Sequence, residues 1–119
     1  MENATLIKSQ FHACRRLLVA LGDETRQLII AVLAETECEG MRVGDIAEQT
    51  HLSRPAVSHH LKILLDAEVV GLTKQATKHF YYLALGGEWQ SLVELLHNIQ
   101  RLKERCLCPH EGADRAVRP

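Results

Sequence analysis

Apolar residues at Leu6, Ile7, Phe11, Cys14, Leu17, Leu18 and Leu21 recur at the spacing of one helix face, and Gly22 ends the run as a C-terminal cap would. The pattern predicts one long first helix. Asp23 stands as the N-cap of a second helix, whose run Leu28, Ile29, Ile30, Val32 and Leu33 is apolar nearly all round. Such a helix is expected at the centre, buried on most sides. It gives way to the acidic loop Glu35-Thr36-Glu37-Cys38-Glu39-Gly40. A short helix from about Val43 to Gln49 then turns Ile46 and Ala47 inward, and after the break at Thr50-His51-Leu52 a new helix is capped by Ser53. Arg54 and Pro55 fall in its first turn, where the missing proline N–H costs nothing, and Val57, Leu61, Leu64 and Leu65 form its buried stripe. Two helices this close, the first carrying a small Ala and the second capped by Ser, are the signature of a helix-turn-helix.

After Glu68 the period changes. Val69–Thr73 and His79–Leu85 are β-rich runs on either side of the polar stretch Lys74–Lys78, which predicts a hairpin. A last helix begins near Glu88 and carries Trp89, Leu92, Val93, Leu95, Leu96, Ile99 and Leu102 on a wide apolar face until Pro109 and Gly112 stop it. The predicted architecture is mainly α with a β-hairpin wing, a winged helix-turn-helix in the order α-α-α-α-β-β-α. Its first and last helices carry more apolar surface than a small winged core covers, so they are expected to dimerise. Residues 1–110 form the DNA-binding and dimerisation domain of this reading, and residues 111–119 a disordered tail.

A length of 119 residues with 46% hydrophobic and 24% charged residues suits one globular domain, and leaves room for a partner subunit to complete the core. No stretch reaches the roughly 18 apolar residues of a membrane span, and the N-terminus lacks the pattern of a secretory signal. A cytoplasmic protein without membrane contact is expected, so its four cysteines are read as packing residues, metal ligands or redox sensors rather than disulfides.

The net charge of −1 gives no overall pull toward nucleic acid, but the charges are unevenly placed. Residues 51–82 hold four basic residues (Arg54, Lys62, Lys74, Lys78) against two acids (Asp66, Glu68), with four histidines, whereas residues 1–50 hold five basic and eight acidic residues. The positive excess therefore lies on the second helix of the motif and on the hairpin. Ser53, Arg54, Ser58, His59 and Lys62 sit at the start and outer face of that helix, where hydroxyls and cations would meet phosphates and base edges in a major groove. Lys74, Lys78 and His79 flank the hairpin tip, within reach of neighbouring phosphates. An ordinary solvated helix and loop is the competing reading of each residue alone; the motif around them favours DNA.

Cys106-Leu107-Cys108-Pro109-His110 is the other candidate site. Proline biases Cys108 toward extended backbone, where alternate side chains share a side, so two thiolates would hold one soft ion. Arg101, Lys103 and Arg105 just upstream favour the thiolate. His110 and Cys14 are additional donors, although Cys14 also reads as a small buried hydrophobe on its helix stripe. Cys38, among three glutamates, is read as incidental. No phosphate loop, nucleophile motif or paired Cys-x-x-Cys set is present, so an enzyme is not expected.

The segments Leu21-Gly22-Asp23-Glu24-Thr25-Arg26, Val43-Gly44-Asp45-Ile46-Ala47-Glu48, Leu52-Ser53-Arg54-Pro55-Ala56-Val57-Ser58-His59-His60-Leu61-Lys62-Ile63-Leu64 and Phe80-Tyr81-Tyr82-Leu83 resemble the ArsR/SmtB family of bacterial repressors over about residues 17–100. The resemblance implies a homodimeric winged-helix repressor that binds palindromic double-stranded operator DNA and lets go when a metal ion, metalloid or oxidant modifies it. The Cys-Val-Cys pair of metal-sensing members is absent, Met41-Arg42-Val43 standing in its place. The zinc pattern of the last helix is missing too, since Gln100 follows His97 three residues on. Cys106 and Cys108 are similar in position to the cysteines of arsenic and redox sensors. No cofactor is then required for DNA binding, and As(III), Cd(II) or Zn(II), or thiol oxidation, would act as inducer. A constitutive regulator with inert cysteines, and a small thiol-based metal or redox protein, are the alternatives.

Overall fold

The computed structural model describes residues 2–105. Cys106, Cys108, His110 and the tail expected at 111–119 lie outside the described residues. The elements run α1 (Glu2–Ala13), α2 (Arg15–Leu21), α3 (Glu24–Ala34), α4 (Val43–Thr50), α5 (Arg54–Asp66), β1 (Val70–Gln75), β2 (Lys78–Leu83) and α6 (Trp89–Glu104). This is the expected winged helix-turn-helix order, with one correction.

The long first helix is broken in two at Cys14, whose φ of −114° and ψ of 27° are not helical. Its amide turns to the Phe11 carbonyl at 3.2 Å, and its thiol donates to the Gln10 carbonyl at 3.3 Å, the acceptor an unbroken helix would have given to that amide. Gly22 does cap α2, but with φ −84° and an N–H bond to the Val19 carbonyl, so the left-handed cap conformation is not used.

The N-caps behave as local chemistry dictates. The Asp23 carboxylate accepts the Arg26 amide at 3.0 Å, and the Ser53 hydroxyl accepts that of Ala56 at 3.2 Å. The helix-turn-helix corner is closed by His51, the left-handed C-cap of α4 at φ 60°, and by the Leu52 amide bonded to the Ala47 carbonyl at 3.2 Å. Ile29, Leu33, Ile46, Val57, Leu61, Leu64 and Val69 from α3, α4, α5 and the wing base make the buried core.

The central helix α3 is less enclosed than its composition suggests. Ile29 and Leu33 are buried, but Leu28 is 45% exposed and Ala31 is exposed as well, because α4 and α5 cover only one side. The outer layer is emptier still: α1 buries none of its residues and α6 only Leu95. Leu6 and Phe11 of α1 and Val93, Leu96 and Ile99 of α6 stay exposed.

In the wing, β1 and β2 pair antiparallel from Val70 opposite Leu83 to Gln75 opposite Lys78, leaving Ala76 and Thr77 as a two-residue turn. The strands thus reach further into the polar stretch than expected. Ala76 takes φ 58° at the first turn position. On the outer edge of β2, Met41 exchanges both backbone bonds with Tyr81 at 2.8 and 2.7 Å, a one-residue third strand. Gly40 makes this approach feasible: its φ is 82°, and a Cβ there would run into the Tyr81 carbonyl.

Candidate nucleic-acid interface

Every side chain assigned to DNA from the sequence is exposed: Ser53, Arg54, Ser58, His59 and Lys62 at the start and along one side of α5, and Lys74, Lys78 and His79 on the wing. Helical spacing explains the first group. Val57, Leu61 and Leu64 turn to the core, so residues 58, 59 and 62 are left on the opposite side. Among the described residues, none of the four cations Arg54, Lys62, Lys74 and Lys78 is in a salt bridge, so no protein carboxylate needs to be displaced before a phosphate binds.

Two of these residues have more specific settings. The Ser53 hydroxyl is already an acceptor in its own cap, leaving its O–H free to donate. Arg54 lies over Gly44 of α4, where a Cβ would come within 2.7 Å of its Nη2. Arg42, Asp45 and Glu48 line the same open polar cleft of about 510 Å³, so α4 and its N-cap residue add one cation and two acids beside α5.

The wing separates what the sequence placed together. Lys74 pairs with His79 and Gln75 with Lys78; directly opposed residues share a face and successive ones alternate. Lys74 and His79 therefore stand on one face of the hairpin and Lys78 on the other.

Behind α5 lies a residue that the charge pattern did not single out. Arg26, 9% exposed, donates from Nε to the Ala20 carbonyl at 2.8 Å and from Nη2 to the Val19 carbonyl at 3.2 Å, while Nη1 lies 3.3 Å from Nδ1 of His60 on α5. Asp23 adds a loose ion pair at 3.9 Å. The Arg26 amide, and after it the Arg26 charge, hold the Asp23 carboxyl below its ordinary value. The legible signal was the cap spacing of Asp23 and Arg26; the partner 34 residues away was not.

Of the candidate sensor residues, only Cys14 is described. It is fully buried, and burial pushes its thiol above the ordinary value, with the Glu88 charge adding to the effect. Among the described residues no group of three or more His, Cys, Asp or Glu side chains is arranged to hold a metal ion. No helix among them is long and apolar enough to cross a membrane.

Residues 23–71, which contain the Asp23 cap, both helices of the motif and the start of β1, match the family model "Bacterial regulatory protein, arsR family". The chain is 32% identical over 92 residues, 77% of its length and 85% of the relative's, to the arsenical resistance operon repressor of Staphylococcus aureus. It is 39% identical over 64 residues, 54% of its length and 68% of the relative's, to the transcriptional repressor SdpR of Bacillus subtilis. Among solved structures, HlyU of Vibrio cholerae matches with 30% identity and a TM-score of 0.54, over 83% of this chain and 97% of that one. An ArsR-like transcriptional regulator from Rhodococcus shares the fold, with a TM-score of 0.72 at 24% identity over 92% and 97% of the two chains. The Staphylococcus and Bacillus relatives are repressors, regulators of transcription rather than enzymes. With the capped helix pair, the cationic outer side of α5 and the wing in place, the chain belongs to the arsR family of bacterial regulatory proteins, DNA-binding transcriptional regulators with a winged helix-turn-helix.

Proposed function

We propose that the protein is a homodimeric repressor that binds palindromic operator DNA through α5 and the wing, and that chemistry at Cys106 and Cys108 releases it. The observation that carries the DNA half is the exposed row Ser58, His59 and Lys62 on α5, flanked by Arg54 and the wing lysines, with none of the cations ion-paired among the described residues. Side chains on one side of a helix at these spacings follow a major groove, while the wing cations reach phosphates beside it. Association of two copies is supported by the uncovered apolar side chains of α1 and α6, between which Ala4, Ile7, Phe11, Ile99 and Leu102 line a groove of about 680 Å³. Two-fold symmetry would then place two copies of α5 about 34 Å apart, one helical turn of DNA.

The inducer half rests on the Cys-x-Cys pair with its upstream cations, and on two relatives that are arsenical resistance operon repressors, from Staphylococcus aureus and Staphylococcus xylosus. As(III), Cd(II), Zn(II) or an oxidant at these thiols, with His110 as a further donor, would shift the last helices and change the separation of the α5 pair. A coupling of roughly 1–3 kcal/mol is enough to empty an operator. Selection of binding sites from random duplexes by the full chain tests the first half: enrichment of a palindrome supports it, and no enrichment rules it out. Titration of the bound complex with As(III), Cd(II), Zn(II) and peroxide tests the second. The doubly substituted Cys106→Ser, Cys108→Ser chain is expected to bind DNA as before and to stay bound when inducer is added. Release equal to that of the unsubstituted chain would reject the thiol site.

A further inference from the structure

Arg26 is the one charged side chain among the described residues that is buried, and its guanidinium does more than capping requires. The last turn of α2 exposes carbonyls carrying partial negative charge, and two donors, Nε and Nη2, satisfy those of Ala20 and Val19. The third direction of the fork, Nη1, runs to His60 on α5 at 3.3 Å. An arginine has only donors, so the imidazole accepts through Nδ1 and carries its proton on Nε2. One rigid planar group thus ties the end of α2 to the middle of α5.

His60 occupies the turn of α5 that bears the exposed residues Ser58, His59 and Lys62, yet is itself half-buried against the α2–α3 corner. Its ring meets that of His59 edge-on, with centroids 5.4 Å apart at 65°. Successive helix residues are about 100° apart around the axis, so a small roll of α5 about its axis re-aims all three exposed side chains together. Core contacts of Val57, Leu61 and Leu64 resist separation of the helices, but apolar contacts are non-directional. A charged, directional hydrogen bond fixes the roll.

We propose that Arg26 is a positioning residue for DNA recognition: through His60 it sets the angle at which α5 presents Ser58, His59 and Lys62 to base edges. The proposal rests on the DNA-binding reading above. It separates the discrimination of operator from other DNA, which depends on aim, from the attraction to phosphate, which depends on charge.

The test uses the full-length chain, the duplex recovered by selection and a shuffled duplex of equal length, measuring the ratio of the two dissociation constants and the salt dependence of each. Because both constants scale with the folded fraction, their ratio is insensitive to partial unfolding. His60→Leu is expected to lower the ratio about tenfold, the worth of a hydrogen bond to a charged group, with the salt slopes unchanged. His60→Asn, whose Oδ1 stands where Nδ1 does, is expected to keep a ratio close to that of the unsubstituted chain. Adding Arg26→Gln to His60→Leu is expected to cause no further loss, because both remove one interaction. A full ratio in His60→Leu, equal losses in His60→Asn and His60→Leu, or additive losses in the double variant would each overturn the proposal; the last two would indicate that His60 reads DNA itself. Should Arg26→Gln fail to fold, the two His60 variants decide the matter. If the unsubstituted chain shows no preference between the duplexes, the DNA-binding reading itself has failed, and this inference falls with it.

Discussion

Glu88, the residue that opens α6, accepts the amide N–H of Leu17 at 3.2 Å across 71 residues of sequence, and its other oxygen lies 3.5 Å from Nε of Arg16. In an unbroken helix that amide would bond to the Ala13 carbonyl. The interruption at Cys14 frees it, Cys14 provides no side-chain cap, and a carboxylate from another helix fills the role. The start of α2 is thereby fastened to the start of α6.

Removing this external cap should cost what a lost N-cap costs. Glu88→Ala is expected to destabilise the fold by about 1 kcal/mol, with Glu88→Gln, which retains an acceptor oxygen, losing less. Thermal or urea unfolding of the two variants checks the order. Equal losses would assign the stabilisation to the Arg16 ion pair rather than to the cap.

Cys14 should behave as a protected thiol. At pH 8 iodoacetamide is expected to modify the exposed Cys38 readily and Cys14 only on unfolding, read by peptide mass mapping. The pH dependence follows from the raised thiol value. As pH climbs past the ordinary 9.0, the unfolded chain ionises first, so stability that is intact below 9.0 falls between there and the higher folded value. Cys14→Ala should remove that alkaline loss; an unchanged loss would place its origin elsewhere.

Gly40→Ala is expected to detach the Met41 bridge from the wing. The added methyl group meets the Tyr81 carbonyl at a φ of 82°, and the strain should cost about 2 kcal/mol or more. Amide exchange at Met41 and Tyr81, whose N–H groups make the bridge, should accelerate before the rest of the sheet. Protection equal to that of the unsubstituted chain at both amides would contradict this.

Lys74 and Lys78 stand on opposite faces of the wing, so they would meet different phosphates. Lys74→Ala and Lys78→Ala are each expected to reduce the slope of log affinity against log salt by about 1.8, one phosphate contact from each protomer of the dimer, and the double variant by about twice that. An unchanged slope in either single variant would remove that lysine from the interface.

Local chemistry made most of the architecture legible. Asp23 and Ser53 cap amides three residues on, Pro55 sits where its missing donor is harmless, and Val57, Leu61 and Leu64 repeat within a helix face; each rule acts within one or two turns of chain. The break at Cys14 was hidden because its apolar neighbours keep helical spacing on both sides of it. Hairpin pairing was visible in the two β-rich runs flanking a polar stretch, but the faces on which the lysines stand were not, since a shift of one residue in register reverses them.

By itself, then, the sequence determined the order of helices and strands, the capped helix-turn-helix and the concentration of positive charge on its second helix and wing. Tertiary structure alone decided that Glu88 caps α2, that Arg26 reaches His60 and that Met41 joins the sheet. The physical reason is the range of the interactions. Caps and periodicity are written between near neighbours, whereas a hydrogen bond between groups 34 or 71 residues apart exists only after the core has brought those groups within 3.3 Å or less.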